Sequence, residues 1–197
     1  MSTPGTVARV RTAPSPLTEG TLRDGTAALI WPLLDNDHDL LRAGYAELSP
    51  ASRQRRFLAP VPELSDSMLR LLVDGVDGVD HLALLLTVLP EGEPARPVGV
   101  ARLVRYPDEP SVADVAVTVT DAWHGRGVAT ALMTALLARR PADVTRLRTT
   151  VAADNRASLA MLARHGTTTT HRDGPGVLVV EVGDLAPPVA QQETARG

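Results

Sequence analysis

The chain is 197 residues long, 44% hydrophobic and formally -3 at neutral pH, enough for one substantial core and too short for two of ordinary size. Its 20 basic side chains are all Arg and it contains no Cys, which excludes disulfides, thiolate metal sites, an acyl-cysteine intermediate, a phosphate-loop lysine and a Schiff-base lysine. One Phe, two Trp and two Tyr offer little for base stacking, and the negative balance argues against nucleic acid as a partner while suiting a cationic small substrate.

Residues 1–20 are rich in Ser, Thr, Pro and Gly without periodicity and read as a flexible leader; 187–197 read as a tail of the same kind. The span between them, 21–186, is expected to be one domain. Asp24-Gly25 marks a hairpin turn over 21–32, with a strand at 27–31. Leu40, Leu41, Tyr45 and Leu48 follow a helical period after a cap at Asp35 or Asn36. Ser49-Pro50 opens a short helix through Arg56, and Ser65 caps another that carries Met68, Leu69, Leu71 and Leu72.

Apolar runs at 82–89 and 98–106, bounded by Pro90-Glu91-Gly92 and by Pro107, read as an antiparallel pair of strands. The repeat at 73–78 lacks the spacing and terminal Glu of a calcium loop and reads as a plain loop. Val alternates with smaller residues over 112–119, and helical periodicity takes over at 127–139 through Val128, Leu132, Ala135 and Leu136. A strand at 146–151, a helix at 155–164 ending at Gly166 and a strand at 177–182 complete the order. No segment approaches the roughly 20 apolar residues that span a bilayer, so no membrane partner is expected. With no secretory signature in residues 1–30 and no Cys, the chain reads as soluble and cytoplasmic.

His124-Gly125-Arg126-Gly127-Val128-Ala129 falls where a strand ends and a helix begins. Free backbone N–H groups and the positive end of a helix dipole converge there, which makes an anion site. Gly125 and Gly127 permit positive φ, Ala129 leaves room for phosphate oxygens, and Arg126 can add a charge-assisted contact. The run lacks the third glycine and downstream acid of a dinucleotide fingerprint. A strand–helix turn that merely needs positive φ is the plainer alternative.

This loop resembles the acetyl-CoA loop of the GNAT superfamily of N-acetyltransferases, written Gln/Arg-x-x-Gly-x-Gly/Ala. His124 stands in its first slot, Gly127 in the central one and Ala129 in the last. Asn155-Arg156-Ala157-Ser158 followed by Arg164-His165-Gly166 resembles the family's second motif. The segment 48–58 is similar to bacterial members related to protein-lysine acetyltransferases. The resemblance implies an α+β (mixed α/β) GNAT fold, with a twisted, mostly antiparallel sheet of about six or seven strands splayed at the acetyl-CoA site and flanked by helices. It also implies an acyltransferase moving acetyl from acetyl-CoA to a primary amine, with no metal. Backbone groups at Val117 and Val119 would hold the pantetheine arm and the oxyanion. His124 to Ala129 with Thr130 would take the pyrophosphate, and Asn155 and Ser158 the cofactor arm. His124 replaces the usual Gln or Arg, and Leu162 stands where many relatives carry a Tyr acid.

Acetylating an amine requires its neutral form, and an alkyl amine with pKa about 10.4 is protonated at neutral pH. Asp114 matches an acidic position of the protein-acetylating relatives and is the candidate base; a structural carboxylate at a strand start is the alternative. Asp108 and Glu109 are held in reserve. Asn155 also reads as a helix N-cap, and Arg53, Arg55 and Arg56 read as a solvated helix face left outside the site, with an acidic partner or the cofactor's phosphate as the alternative. The His residues show no ligand spacing. The acceptor is a protein lysine or a small amine such as an aminoglycoside, and a non-catalytic acyl-CoA-binding domain is the remaining alternative. A homodimer is left open.

Overall fold

The structure is a computed structural model and describes residues 16–188. In chain order its elements are β1 (Thr18–Thr21), β2 (Ala27–Pro32), α1 (His38–Ala46), α2 (Pro50–Phe57), α3 (Asp66–Val73), β3 (His81–Leu89), β4 (Arg96–Arg105) and β5 (Val112–Val119). A 3-10 turn (Asp121–Trp123) follows, then α4 (Val128–Ala138), β6 (Arg146–Ala152), α5 (Arg156–Leu162), β7 (Thr167–Arg172) and β8 (Val177–Gly183). The strands form one sheet in the order β1-β2-β3-β4-β5-β6-β8-β7, all antiparallel except β5 against β6.

Period-two alternation sorts the sheet's side chains between two cores. Leu84, Leu86, Ala101, Leu103 and Val115 pack against Leu132, Met133 and Leu136 of α4, continuous with Leu147, Val180 and Val182 beyond the splay. Ala83 and partly buried Val100 face the opposite layer, built on Leu41, Tyr45, Leu48, Leu69 and Val73 of the first three helices and their links. Arg53 fastens that layer: its guanidinium stacks over the Tyr45 ring at 5.0 Å and donates to the carbonyls of Ala46 (2.9 Å) and Pro62.

The sheet has eight strands, more than the expected six or seven. β1 begins at Thr18, inside the stretch read as a leader, while residues 1–15 and 189–197 of the expected leader and tail lie outside the described residues. β7 was not anticipated: Thr-Thr-Thr-Thr-His-Arg has β-branched stiffness but no apolar alternation, because the strand is an edge with both faces largely exposed. The helix expected to end at Gly166 stops at Leu162, and Gly166 has no positive φ. A Cβ there would overlap the Gly183 carbonyl oxygen, so the glycine serves the close approach of β7 to β8 instead of a left-handed helix cap. The 73–78 repeat, apart from Val73 at the end of α3, is a loop in which the Asp77 carboxylate accepts the Val79, Asp80 and His81 amides at 2.8 to 2.9 Å.

β5 and β6 pair only through Val112 with Arg146 and Ala113 with Leu147. Past that point β5 stays registered with β4 as far as Val119 opposite Gly99, and β6 stays with β8. The sheet therefore opens between two well-paired halves. The Thr149 hydroxyl, donating to the Val115 carbonyl at 2.9 Å, bridges the mouth of the opening.

Candidate active site

The splay widens into a cleft of about 670 Å³ whose walls come from β5, β6, α2, α5 and the β5–α4 loop. Thr120 anchors the loop by donating its amide to Val98 at 2.9 Å. The chain then turns through Gly125 (φ 75) and Gly127 (φ 96), both left-handed, before α4 starts at Val128. Gly127 is the N-cap and offers no capping side chain, so the amides of α4's first turn keep no intrahelical partner. Gly125, Gly127, Val128, Ala129 and Thr130 all line the cleft. The Val128 side chain is buried, which leaves its backbone as the part that can meet a ligand.

His124 also lines the cleft, with Nε2 bonded to the Val119 carbonyl at 3.0 Å, tying the loop back to the end of β5. Arg126 turns away. Its guanidinium pairs with Asp24 at 3.1 Å and lies over the Trp123 ring at 4.6 Å, so in this structure that cation is engaged outside the cleft. Arg23, from the β1–β2 hairpin, lines the cleft instead, its side chain against Gly127 and its amide on the Arg126 carbonyl at 3.1 Å. A turn distant in sequence thus supplies a charge that no local motif signals.

Val115, Val117 and Val119 point toward the α4 core or its margin, which puts Asp114, Ala116 and Thr118 on the α1–α3 face with Arg102 of β4. Val117, Val119 and Asp114 all border the cleft. Burial pushes the Asp114 carboxyl above its ordinary value, against the pull of the Thr149 hydroxyl, Arg56 and the Val115 amide. A carboxylate raised in this way is a better proton acceptor near neutral pH than a solvated one. Glu109 is not comparable, since Arg148 grips it at 2.9 and 3.1 Å and lowers its pKa; Asp108 is not among the cleft's lining residues. Tyr106, at the end of β4, was not singled out from sequence, and it lines the cleft with its phenol pKa raised by burial and by Asp114.

On the β6 side, Asn155 Oδ1 accepts the Ser158 amide at 3.2 Å, so the N-cap role is real, and both residues line the cleft as well. Leu162, in the slot of the expected Tyr, is 2% exposed and part of the core. On the opposite side α2 forms a wall. Its N-terminus is clipped to the loop by Asp121, which accepts from the Ser49 amide (2.8 Å), the Ser49 hydroxyl (2.9 Å) and the Ser52 hydroxyl (2.8 Å). Arg55 and Arg56 then project along the cleft, and Arg55 reaches Asp154 beside α5 at 3.3 Å. Only Arg53 of the three arginines is purely structural, so reading all of α2's arginines as a solvated face is corrected here. Among the described residues no group of three or more His, Cys, Asp or Glu is placed to hold a metal, and no helix is long and apolar enough to cross a membrane.

The model of the acetyltransferase (GNAT) family matches residues 40–167. An acetyltransferase of Pseudomonas aeruginosa is 35% identical over 117 residues, 59% of this chain and 61% of its own length. The acetyltransferase Pat of Mycolicibacterium smegmatis is 32% identical over 167 residues, 84% of this chain and 48% of its own length. The chain therefore spans about half to three-fifths of these two relatives. Among solved structures, the GNAT domain of S. lividans PAT superposes with a TM-score of 0.69 at 27% identity, covering 84% of this chain and 96% of that domain. With the family match running from α1 through the splayed cleft to the start of β7, the chain belongs to the GNAT acetyltransferase family.

Proposed function

We propose that the chain moves an acetyl group from acetyl-CoA directly to a primary amine, and that the amine is a protein lysine. The observation that carries this reading is the opening of the α4 N-terminal amides and of Asp114 onto one continuous cleft. The pyrophosphate would sit on the amides of Gly125 to Thr130, with Arg23 adding charge. The pantetheine arm would run along the unpaired edge of β5 past Val119 and Val117, whose backbone groups have no β6 partner to compete. Asn155 and Ser158 would border the arm from the other side.

Asp114 takes one proton of the ammonium, the neutral amine attacks the thioester carbonyl, and the tetrahedral intermediate collapses with cleavage of the C–S bond, its remaining excess N–H proton passing to the departing CoA sulfur to leave an amide and CoA thiol. A thiol with pKa about 8.5 leaves without a dedicated acid, which accommodates Leu162 in place of a Tyr. Absence of Cys makes the transfer direct. A protein lysine is favoured over a polycationic small amine because Arg56 and Arg102 lie on the Asp114 face and would repel several positive charges. Similarity to the acetyltransferase Pat and to the GNAT domain of PAT supports acetyl transfer as the reaction.

The test is calorimetric titration with acetyl-CoA, followed by thiol release against lysine peptides and small amines. Binding with turnover on peptides is expected. In Gly127→Glu, strained at φ 96 and crowding Arg23, binding should vanish while the circular dichroism stays native. Wild-type protein that binds no acetyl-CoA would sink the proposal, and binding without turnover on any amine would leave an acyl-CoA-binding domain in its place.

A further inference from the structure

Two guanidiniums on the Asp114 face, Arg56 and Arg102, are assigned no part of acetyl-CoA in the function proposed above. Arg102 is 7% exposed, and its nitrogens meet only neutral partners: the His81 ring at 2.8 Å and the Leu72 carbonyl at 3.0 Å. Burial and the neighbouring Arg102 charge both lower the His81 pKa, so His81 accepts as a neutral imidazole. Burial, then the charge of Arg56, brings Arg102 down to about 10, still protonated at neutral pH. Arg56 stacks on the Phe57 ring at 4.7 Å. Neither guanidinium has a carboxylate at ion-pair distance among the described residues, although seven other arginines do.

Both line a second cavity, of about 60 Å³, between the α1–α3 layer and β4–β5. Its remaining walls are chiefly apolar, among them Leu41, Leu64 and Val100. Arg56, Phe57 and Thr118 border this cavity and the reaction cleft alike. Two like charges withdrawn from water are costly where the one carboxyl facing them, Asp114, acts on Arg56 from beyond ion-pair distance, and an arriving anion relieves that cost. The planar guanidinium fork matches a carboxylate, and the volume exceeds what one water needs, about 10–15 Å³, by enough for a carboxylate with a methylene or two.

We propose that Arg56 and Arg102 form a subsite for a carboxylate carried next to the reacting atoms. Its two sources are a terminal carboxylate on the donor's acyl group and an acidic side chain beside the acceptor amine. The assignment rests on the acyl-transfer reading for the position of those atoms. The test has a donor arm, acetyl-CoA against succinyl-CoA, and an acceptor arm, lysine peptides flanked by Glu against the same peptides with Gln. Binding is read by calorimetry in wild type, Arg56→Gln and Arg102→Met, with thiol release measured alongside.

A preference of about tenfold for the carboxylate partner is expected in one arm of the wild type, falling to near parity in Arg56→Gln. No preference in either wild-type arm, or one that survives in Arg56→Gln, overturns the subsite. Should Arg102→Met fail to melt cooperatively, the half-buried Arg56 decides alone. Thiol release without preference removes the subsite and keeps the acyl-transfer reading, whereas preference in binding without thiol release does the reverse.

Discussion

Asp114 separates a catalytic carboxylate from a structural one by the sign of its effect on stability. Burial raises its pKa above the ordinary carboxyl value of 3.8, so the protonated form is the one the fold prefers. The stability linked to that form is complete below the unfolded pKa and is lost as pH rises through the folded value. At neutral pH the ionised side chain is therefore a burden, and Asp114→Asn should raise the melting temperature there, an advantage that shrinks toward acid pH. The same change should cut kcat by about 10² to 10⁴, the range for a general base. A melting temperature that falls in the Asn variant would mark Asp114 as a structural anchor. Gly125 and Gly127 were legible because a positive φ at a strand–helix junction restricts residue choice locally. Arg23 was not, because its place beside Gly127 depends on a hairpin docking about a hundred positions away in sequence. Arg126, apparent in the motif, is drawn off by Asp24 and Trp123.

α2 was readable as a helix from Ser49-Pro50, and the Ser49 hydroxyl does accept the Ser52 amide at 3.2 Å. Its function as the cleft's wall was not, since that depends on Asp121, whose partners lie 69 and 72 positions upstream. Burial would raise the Asp121 pKa, but the Ser49 amide and the Ser52 and Ser49 hydroxyls outweigh it and hold the carboxyl below 3.8. Asp121→Ala removes three charge-assisted contacts at once and should cost about 2 kcal/mol. Because the folded pKa is depressed, this contribution is present above the unfolded carboxylate pKa and lost as pH falls through the folded value, so wild type and variant should converge in acid. With Arg55, Arg56 and Phe57 loosened, the acceptor KM should rise more than the acetyl-CoA Kd. Equal changes in both would mean that the clip steadies the α4 loop and not the wall. β7 marks the limit of pattern reading at this scale: with no buried face, its strand character comes from pairing with β8 alone.

At the scale of the whole molecule, the strands from β1 to β5 and the group β6, β8 and β7 meet through two paired residues of β5 and two of β6. The shared core under α4, the Thr149–Val115 bond and the Arg148–Glu109 pair supplement that joint. Acetyl-CoA lying in the splay would touch the α4 loop on one side and Asn155 and Ser158 on the other, and so fasten the two halves to each other. Saturation at a hundred times Kd adds about 2.7 kcal/mol to a native state that binds while the unfolded chain does not, a rise of about 5–10 °C for a domain of this size. The same binding should slow amide exchange in β6 and α5 as well as in the first turn of α4, because opening the splay then requires releasing the cofactor. Protection confined to the α4 loop, with β6 and α5 exchanging as before, would mean that the cofactor rests on one wall only. In that case the break in pairing past Ala113 and Leu147 would need an origin other than accommodating the donor.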